Sequence, residues 1–288
     1  MLFLKNALVY LQVGFFVTLI TSCDIGKKEK YADSDEYDFS TPKVVTLTEE
    51  LDEISGIAYY EKDTSVFAII DEDALLYKIP LNNPKSLQRW TFDKKRDYED
   101  LVFVDSIFYV LVSNGDVISV RFNNDSINSK KHDFSNQSKD VNEFESMYVD
   151  KDSSRMILLC KSCAGDPKKH LSSFFYNYGE DKDTLIRYRN VNLSVLENKY
   201  KLDKHLKPSA AAIHPVTKDL YIISAVQSLM VVFQANGEFK ELIKLNPGIY
   251  KQPEGMAFTP QGDLIISNEF GDDGFANLLL LKNKLKGR

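Results

Sequence analysis

Three glutamates and two serines recur along this chain at a spacing that would bring them together. Glu99, Glu145 and Glu254, with Ser55 and Ser209, each open an alternating apolar segment and are each followed by a small or acidic residue. From Ser55 to Glu254 they lie 44, 46, 64 and 45 positions apart. Equivalent positions of repeated units meet around a common axis, so three carboxylates and two hydroxyls would converge there. Crowded carboxylates repel one another unless a cation sits among them or their pKa values rise. Oxygen donors alone suit a hard cation, and flexible coordination by many oxygens suits Ca²⁺ better than Mg²⁺. Glu53, two residues before Ser55, points to the same face in strand alternation and could supply the acid that Ser55 lacks. The same five positions could instead latch neighbouring units by hydrogen-bonding their backbone N–H groups. Both readings stay open on the residues alone.

A second polar set follows the repeated segments: Asp71, Glu72, Asp73, Asn114, Asp116, Asn268, Glu269, Asp272 and Asp273. Most of these are ordinary turn residues, although loops gathered on one face of a repeat protein often carry its ligand site. His132, His170, His205 and His214 are scattered, with no triad or metal-ligand spacing. There is neither a Gly-x-Ser-x-Gly elbow nor a phosphate-cradling glycine loop. Cys160 and Cys163 enclose Lys161-Ser162 without the second pair that a zinc ribbon needs. They read as structural thiols, free or joined in a local disulfide.

The elements that must position these residues are strands. Each lead residue opens a strand–turn–strand unit, as in Ser55 to Tyr59 with Val66 to Asp71, or Glu254 to Phe258 with Leu264 to Ser267. Third strands follow at Leu75–Ile79, Val117–Phe122, Phe174–Tyr178, Leu229–Phe233 and Leu278–Leu281. Intervals near 45 residues match a four-stranded propeller blade of about 40–45 residues. The 64-residue interval is too short for two blades and reads as an insertion, with a short helix expected over 193–203. The last unit lacks a fourth strand, and Lys43–Thr48 is a strand without a unit. Docking the second onto the first would close a ring. The expected fold is an all-β, five-bladed propeller, with six blades as the alternative. A β-sandwich has no reason to repeat at this period.

The first 22 residues precede the domain. Lys5 is their only charge, an apolar run spans Ala7 to Ile20, and Ile20-Thr-Ser-Cys23 resembles the bacterial lipobox. The expected organisation is a lipoprotein signal peptide over 1–22, lipidated Cys23 opening a flexible tether over 23–42, and the propeller over 43–288. Net charge is −6 with no clustered basic patch, which argues against nucleic acid. The expected setting is the cell envelope, periplasmic or surface-exposed. A lipid would hold the chain to a membrane as a monomer, with a small-molecule or protein ligand still to be identified.

Glu53-Ile-Ser-Gly-Ile-Ala58, Tyr98-Glu-Asp-Leu101, Phe144-Glu-Ser-Met147 and Gln252-Pro-Glu-Gly-Met-Ala-Phe258, in this order, resemble the SdiA-regulated family of bacterial envelope proteins. The resemblance spans residues 43 to 284. It implies a five-bladed propeller distantly similar to NHL-repeat proteins, with a calcium ion on Glu99, Glu145 and Glu254 and no established activity. Ser209-Ala-Ala-Ala212 departs from the pattern. The expected function is a calcium-binding module without demonstrated catalysis. The alternative is a metal-dependent hydrolase of the lactonase or phytase-like propeller kind.

Overall fold

A computed structural model describes residue 31 and residues 34–285, apart from 125, 135–141, 165–169, 180–183, 201–204 and 271–274. The expected signal peptide, Cys23, Asp272 and Asp273 lie outside the described residues. No described helix is long and apolar enough to cross a membrane.

The first strand, β1 (Lys43–Thr46), stands apart from the run that follows it. Blade 1 comprises β2 (Ile54–Tyr60), β3 (Ser65–Ile70), β4 (Leu75–Pro80) and β5 (Gln88–Thr91). Blade 2 holds β6 (Tyr98–Val104), β7 (Ile107–Val112), β8 (Val117–Asn123) and β9 (Ser126–His132). Blade 3 holds β10 (Asn142–Asp150), β11 (Arg155–Cys163), β12 (His170–Asn177) and β13 (Ile186–Asn192). A helix α1 (Ser194–Tyr200) falls in the expected insertion. Blade 4 holds β14 (Ala210–Ile213), β15 (Leu220–Ser224), β16 (Leu229–Phe233) and β17 (Phe239–Lys244). Blade 5 holds β18 (Pro253–Phe258), β19 (Leu264–Asn268) and β20 (Asn277–Leu281), and its fourth strand is β1. Lys43 pairs with Leu280 and Thr46 with Asn277, antiparallel. The chain is therefore a five-bladed β-propeller closed by its N-terminal strand.

Side-chain alternation explains how the ring coheres. On β2, Ile57 points into the core shared with blade 5, while its neighbour Ala58 points into the core shared with blade 2. Middle strands, covered by a blade on either side, are largely apolar; all six residues of β7 are buried. Outer strands such as β5 are mostly exposed and polar. Each of the five interblade gaps holds its own apolar core. The β6–β7 hairpin turns tightly through Asp105 and Ser106, both left-handed at φ 51° and 65°, the twist that a two-residue hairpin requires.

The tether ends sooner than expected. From Ser34 onward the chain packs between blades 4 and 5, where Tyr37 and Phe39 join the core. The Tyr37 hydroxyl donates to the Gly262 carbonyl at 2.6 Å. Glu36 is buried against Lys240 (2.6 Å), which also reaches Asp219 at 2.7 Å. Lys284 N–H donates to the Glu36 carbonyl at 2.8 Å. Apolar Tyr37 and Phe39, lying among charged neighbours in sequence, are what make residues 34–42 part of the domain.

Candidate functional site

The lead glutamates owe their direction to breaks in strand pairing. In β6, Tyr98 pairs with Val112 and Asp100 with Leu111, so Glu99 is skipped. Glu145 is skipped between Phe144 and Ser146, and Glu254 between Pro253 and Gly255. In β2 the skipped pair is Ser55-Gly56, opposite Ile69. A β-bulge leaves its extra residue outside the ladder and re-aims its side chain. Blade 4 has no such break in β14, and it contributes no acid.

Ser209 acts as a latch. Its hydroxyl donates to the Pro253 carbonyl of blade 5 at 2.6 Å and accepts from Ala225 N–H at 3.2 Å. The Ser55 carbonyl accepts from Ser267 Oγ of blade 5 at 3.0 Å. Blades 2 and 3 are joined by buried Asp100, which accepts from Met147 N–H at 2.7 Å and Ser146 Oγ at 3.2 Å. Latch contacts thus fall to Ser209 and to the residues beside the lead glutamates, while Glu99, Glu145 and Glu254 stand outside the ladders.

Around the three glutamates stand Glu53, Asp71, Asp97 and Glu269, whose charges reach them and one another. Burial and then the charge of Glu145 push the Glu99 carboxyl up to about 10. Glu254 is raised to about 8 by burial, with Glu145 and Glu269 next in effect. Two carboxyl pairs bridge blades by sharing hydrogen bonds. Asp71, lifted to about 6 by burial first, meets Asp97 of blade 2; Glu269, lifted to about 7 by burial first, meets Glu53 of blade 1. Such pairs need a proton or a cation between them.

One cation is built in. Lys161 is skipped between Cys160 and Ser162 in the pairing of β11 with β10, directly across from the bulge at Glu145. Its Nζ lies 2.6 Å from Glu145 Oε1 and 3.5 Å from Glu143. Burial alone would depress the ammonium, but its hydrogen bond to Glu145 and the charges of Glu143 and Glu99 raise it overall. Cys160 and Cys163 form a disulfide with a 5.7 Å Cα separation, closing the short loop that carries Lys161. Burial raises Glu145 too, and its Oε2 is buried without a hydrogen-bond partner.

Among the described residues, no three acidic or histidine side chains as placed enclose a metal position. The donor chemistry nonetheless fits a hard cation. The donor set is all oxygen, Glu145 Oε2 lacks a partner, and two carboxyl pairs face each other across neighbouring blades. His132 sits by Ser119, and His214 packs on Tyr37 and Tyr221, both away from these acids. Asp97 and Lys161 had not been expected. The signal for Asp97 was present, since Glu53, Asp97, Glu143 and Gln252 all stand two residues before a lead position.

A five-bladed propeller whose channel carries an acid-rich end is the class that fold and site define. The sequence matches the SdiA-regulated family over residues 31–271, and the chain belongs to that family. No protein of curated function matches it. Among solved structures, it is similar to a Myxococcus xanthus glutaminyl cyclase at 11% identity and TM-score 0.55, covering 84% of this chain and 94% of that one. A calcium-binding protein, regucalcin, from Agrobacterium tumefaciens is similar at 10% identity and TM-score 0.50, over 88% and 95% of the two chains. A gluconolactonase from Xanthomonas campestris gives 12% identity and TM-score 0.50, over 88% and 96%. At these identities the likeness is one of fold.

Proposed function

We propose that this chain is a lipid-anchored binding module of the bacterial cell envelope whose acid-rich channel end holds Ca²⁺. The observation that carries the metal reading is the convergence of bulge-aimed Glu99, Glu145 and Glu254 with carboxyl pairs that face each other across neighbouring blades. Glu99, Glu145, Glu254, Asp71 and Asp97 would be its ligands, and Lys161 would neutralise part of the excess negative charge. The similar regucalcin is a calcium-binding protein, which agrees with this reading. The envelope address rests on the lipobox-like Ile20-Thr-Ser-Cys23.

A ligand that binds only the native state stabilises it, by about 2.7 kcal/mol at a hundredfold excess over Kd. The thermal unfolding midpoint should therefore rise when EDTA is replaced by millimolar CaCl₂. The rise should vanish in the double variant Glu145→Gln, Glu254→Gln. An unchanged midpoint in the parent protein would overturn the calcium reading, and a rise retained in the double variant would move the site elsewhere.

A further inference from the structure

The two ends of the channel differ chemically, and a hollow opens away from the acidic end. At the end carrying the lead residues, backbones touch. A Cβ on Gly56 would lie 2.2 Å from Leu101 N, and one on Gly255 would lie 2.5 Å from the Ser55 carbonyl oxygen. Toward the other end the inner strands diverge around a cavity of about 720 Å³. All five blades line it, with Tyr59, Phe103, Tyr148, Ala212 and Phe258 contributed by β2, β6, β10, β14 and β18 respectively.

Each of those strands is the edge strand of its sheet. An edge strand presents N–H and C=O groups that its own sheet does not pair. The wall is therefore a ring of alternating donors and acceptors, interleaved with Tyr59, Phe103, Tyr148 and Phe258, which are partly exposed and pack in part on the interblade cores. A purely apolar occupant would strip water from those peptide groups without replacing its hydrogen bonds, which is costly. A strongly charged occupant finds no single opposing field. The lining charges are of both signs, Glu61, Asp150 and Asp152 against Lys151 and Lys218. Asp150 is also engaged in its own turn, accepting from Asp152 N–H and Ser153 Oγ. What matches this wall is a neutral molecule with hydroxyls around its edge and flat apolar faces. Three residues per strand give a depth of about 10 Å, room for two or three linked rings.

We propose that this wide end of the channel is a binding site for a neutral polyhydroxylated ring compound, a short saccharide. The site is independent of the calcium reading and lies at the opposite end of the channel from it.

Isothermal titration calorimetry with maltotriose and chitotriose as probes, and decanoate and spermidine as comparators, tests the proposal. Saturable heat is expected for at least one saccharide and for neither comparator. Tyr148→Ala should weaken binding by about tenfold, the effect of removing an aromatic anchor. Ala212→Trp should abolish it by filling the cavity, while Val226→Ala, exposed elsewhere, should bind as the parent does. Circular dichroism confirms that each variant is folded, and if Ala212→Trp is not, Val102→Trp, at a partly exposed position of the same wall, replaces it. Three results would overturn the proposal: no saccharide binding with Kd below about 10 mM, binding that survives the filled cavity, or a preference for either comparator. Because Ca²⁺ response is read separately by melting, failure here leaves that reading standing.

Discussion

The acids at the end of the channel carrying the lead residues set the pH behaviour of the protein, because their carboxyls hold protons in the folded state that they would release when unfolded. Glu99 at about 10, Glu254 at about 8, Glu269 at about 7 and Asp71 at about 6 all lie above the ordinary carboxylate range. Below about pH 4 both states are protonated at these groups and the effect is absent. As pH rises, the unfolded chain ionises first, so native stability falls progressively toward each folded pKa. Burial depresses His214, which contributes in the opposite sense near neutrality, but it stands against these four and Asp100, which burial pushes up to about 8. The expected outcome is that the unfolding midpoint in EDTA declines between pH 5 and pH 8. Saturating Ca²⁺ should flatten that slope by taking the protons' place, and a chelated protein whose midpoint climbs steadily across this range would contradict the account. The sequence disclosed which acids recur, because recurrence is a matter of spacing. It could not disclose Lys161 as their counter-ion, because that depends on a local slip in pairing that places the ammonium opposite Glu145.

Bulge and latch together explain why small residues follow the lead positions. At Gly56 the nearest neighbours are backbone atoms of blade 2, with Asp100 Cα 2.5 Å from where a Cβ would stand. Backbone cannot rotate aside as a side chain can. Gly56→Ala should therefore cost about 2–3 kcal/mol through overpacking, read as a lowered urea midpoint. Gly248→Ala, whose nearest neighbour would be Asn246 Oδ1 at 3.3 Å, should stay close to the parent. Equal effects would mean that the blades part easily. At this scale the strands were legible because their apolar alternation is long and regular. The least legible element was β9, five of whose seven residues are exposed; with almost no apolar face to bury, Ser126–His132 leaves little pattern to read.

Across the whole molecule, closure depends on a strand far from its partners in sequence. The spare strand at Lys43 and the missing one after Leu281 make this legible in the sequence. The strap ahead of it was not, since Tyr37 and Phe39 are two aromatics in a polar run. Tyr37, Phe39, Val45 and Leu47 are all buried, each such side chain contributing about 1.5–3 kcal/mol. Their combined loss approaches the whole stability of an ordinary domain, about 5–15 kcal/mol. A chain starting at Thr48 should therefore lose its cooperative melt, and a synthetic peptide of residues 31–48 should restore it; cooperative melting without the peptide would show that the ring closes unaided. The same closure imposes an order on biosynthesis. A ribosome delivers β1 before any strand of blade 1 and β20 after nearly everything else, so the first strand made must wait for the last one it can pair with. Until then β1 is an open template, and the nascent protein is exposed to mispairing for the full time that its synthesis takes.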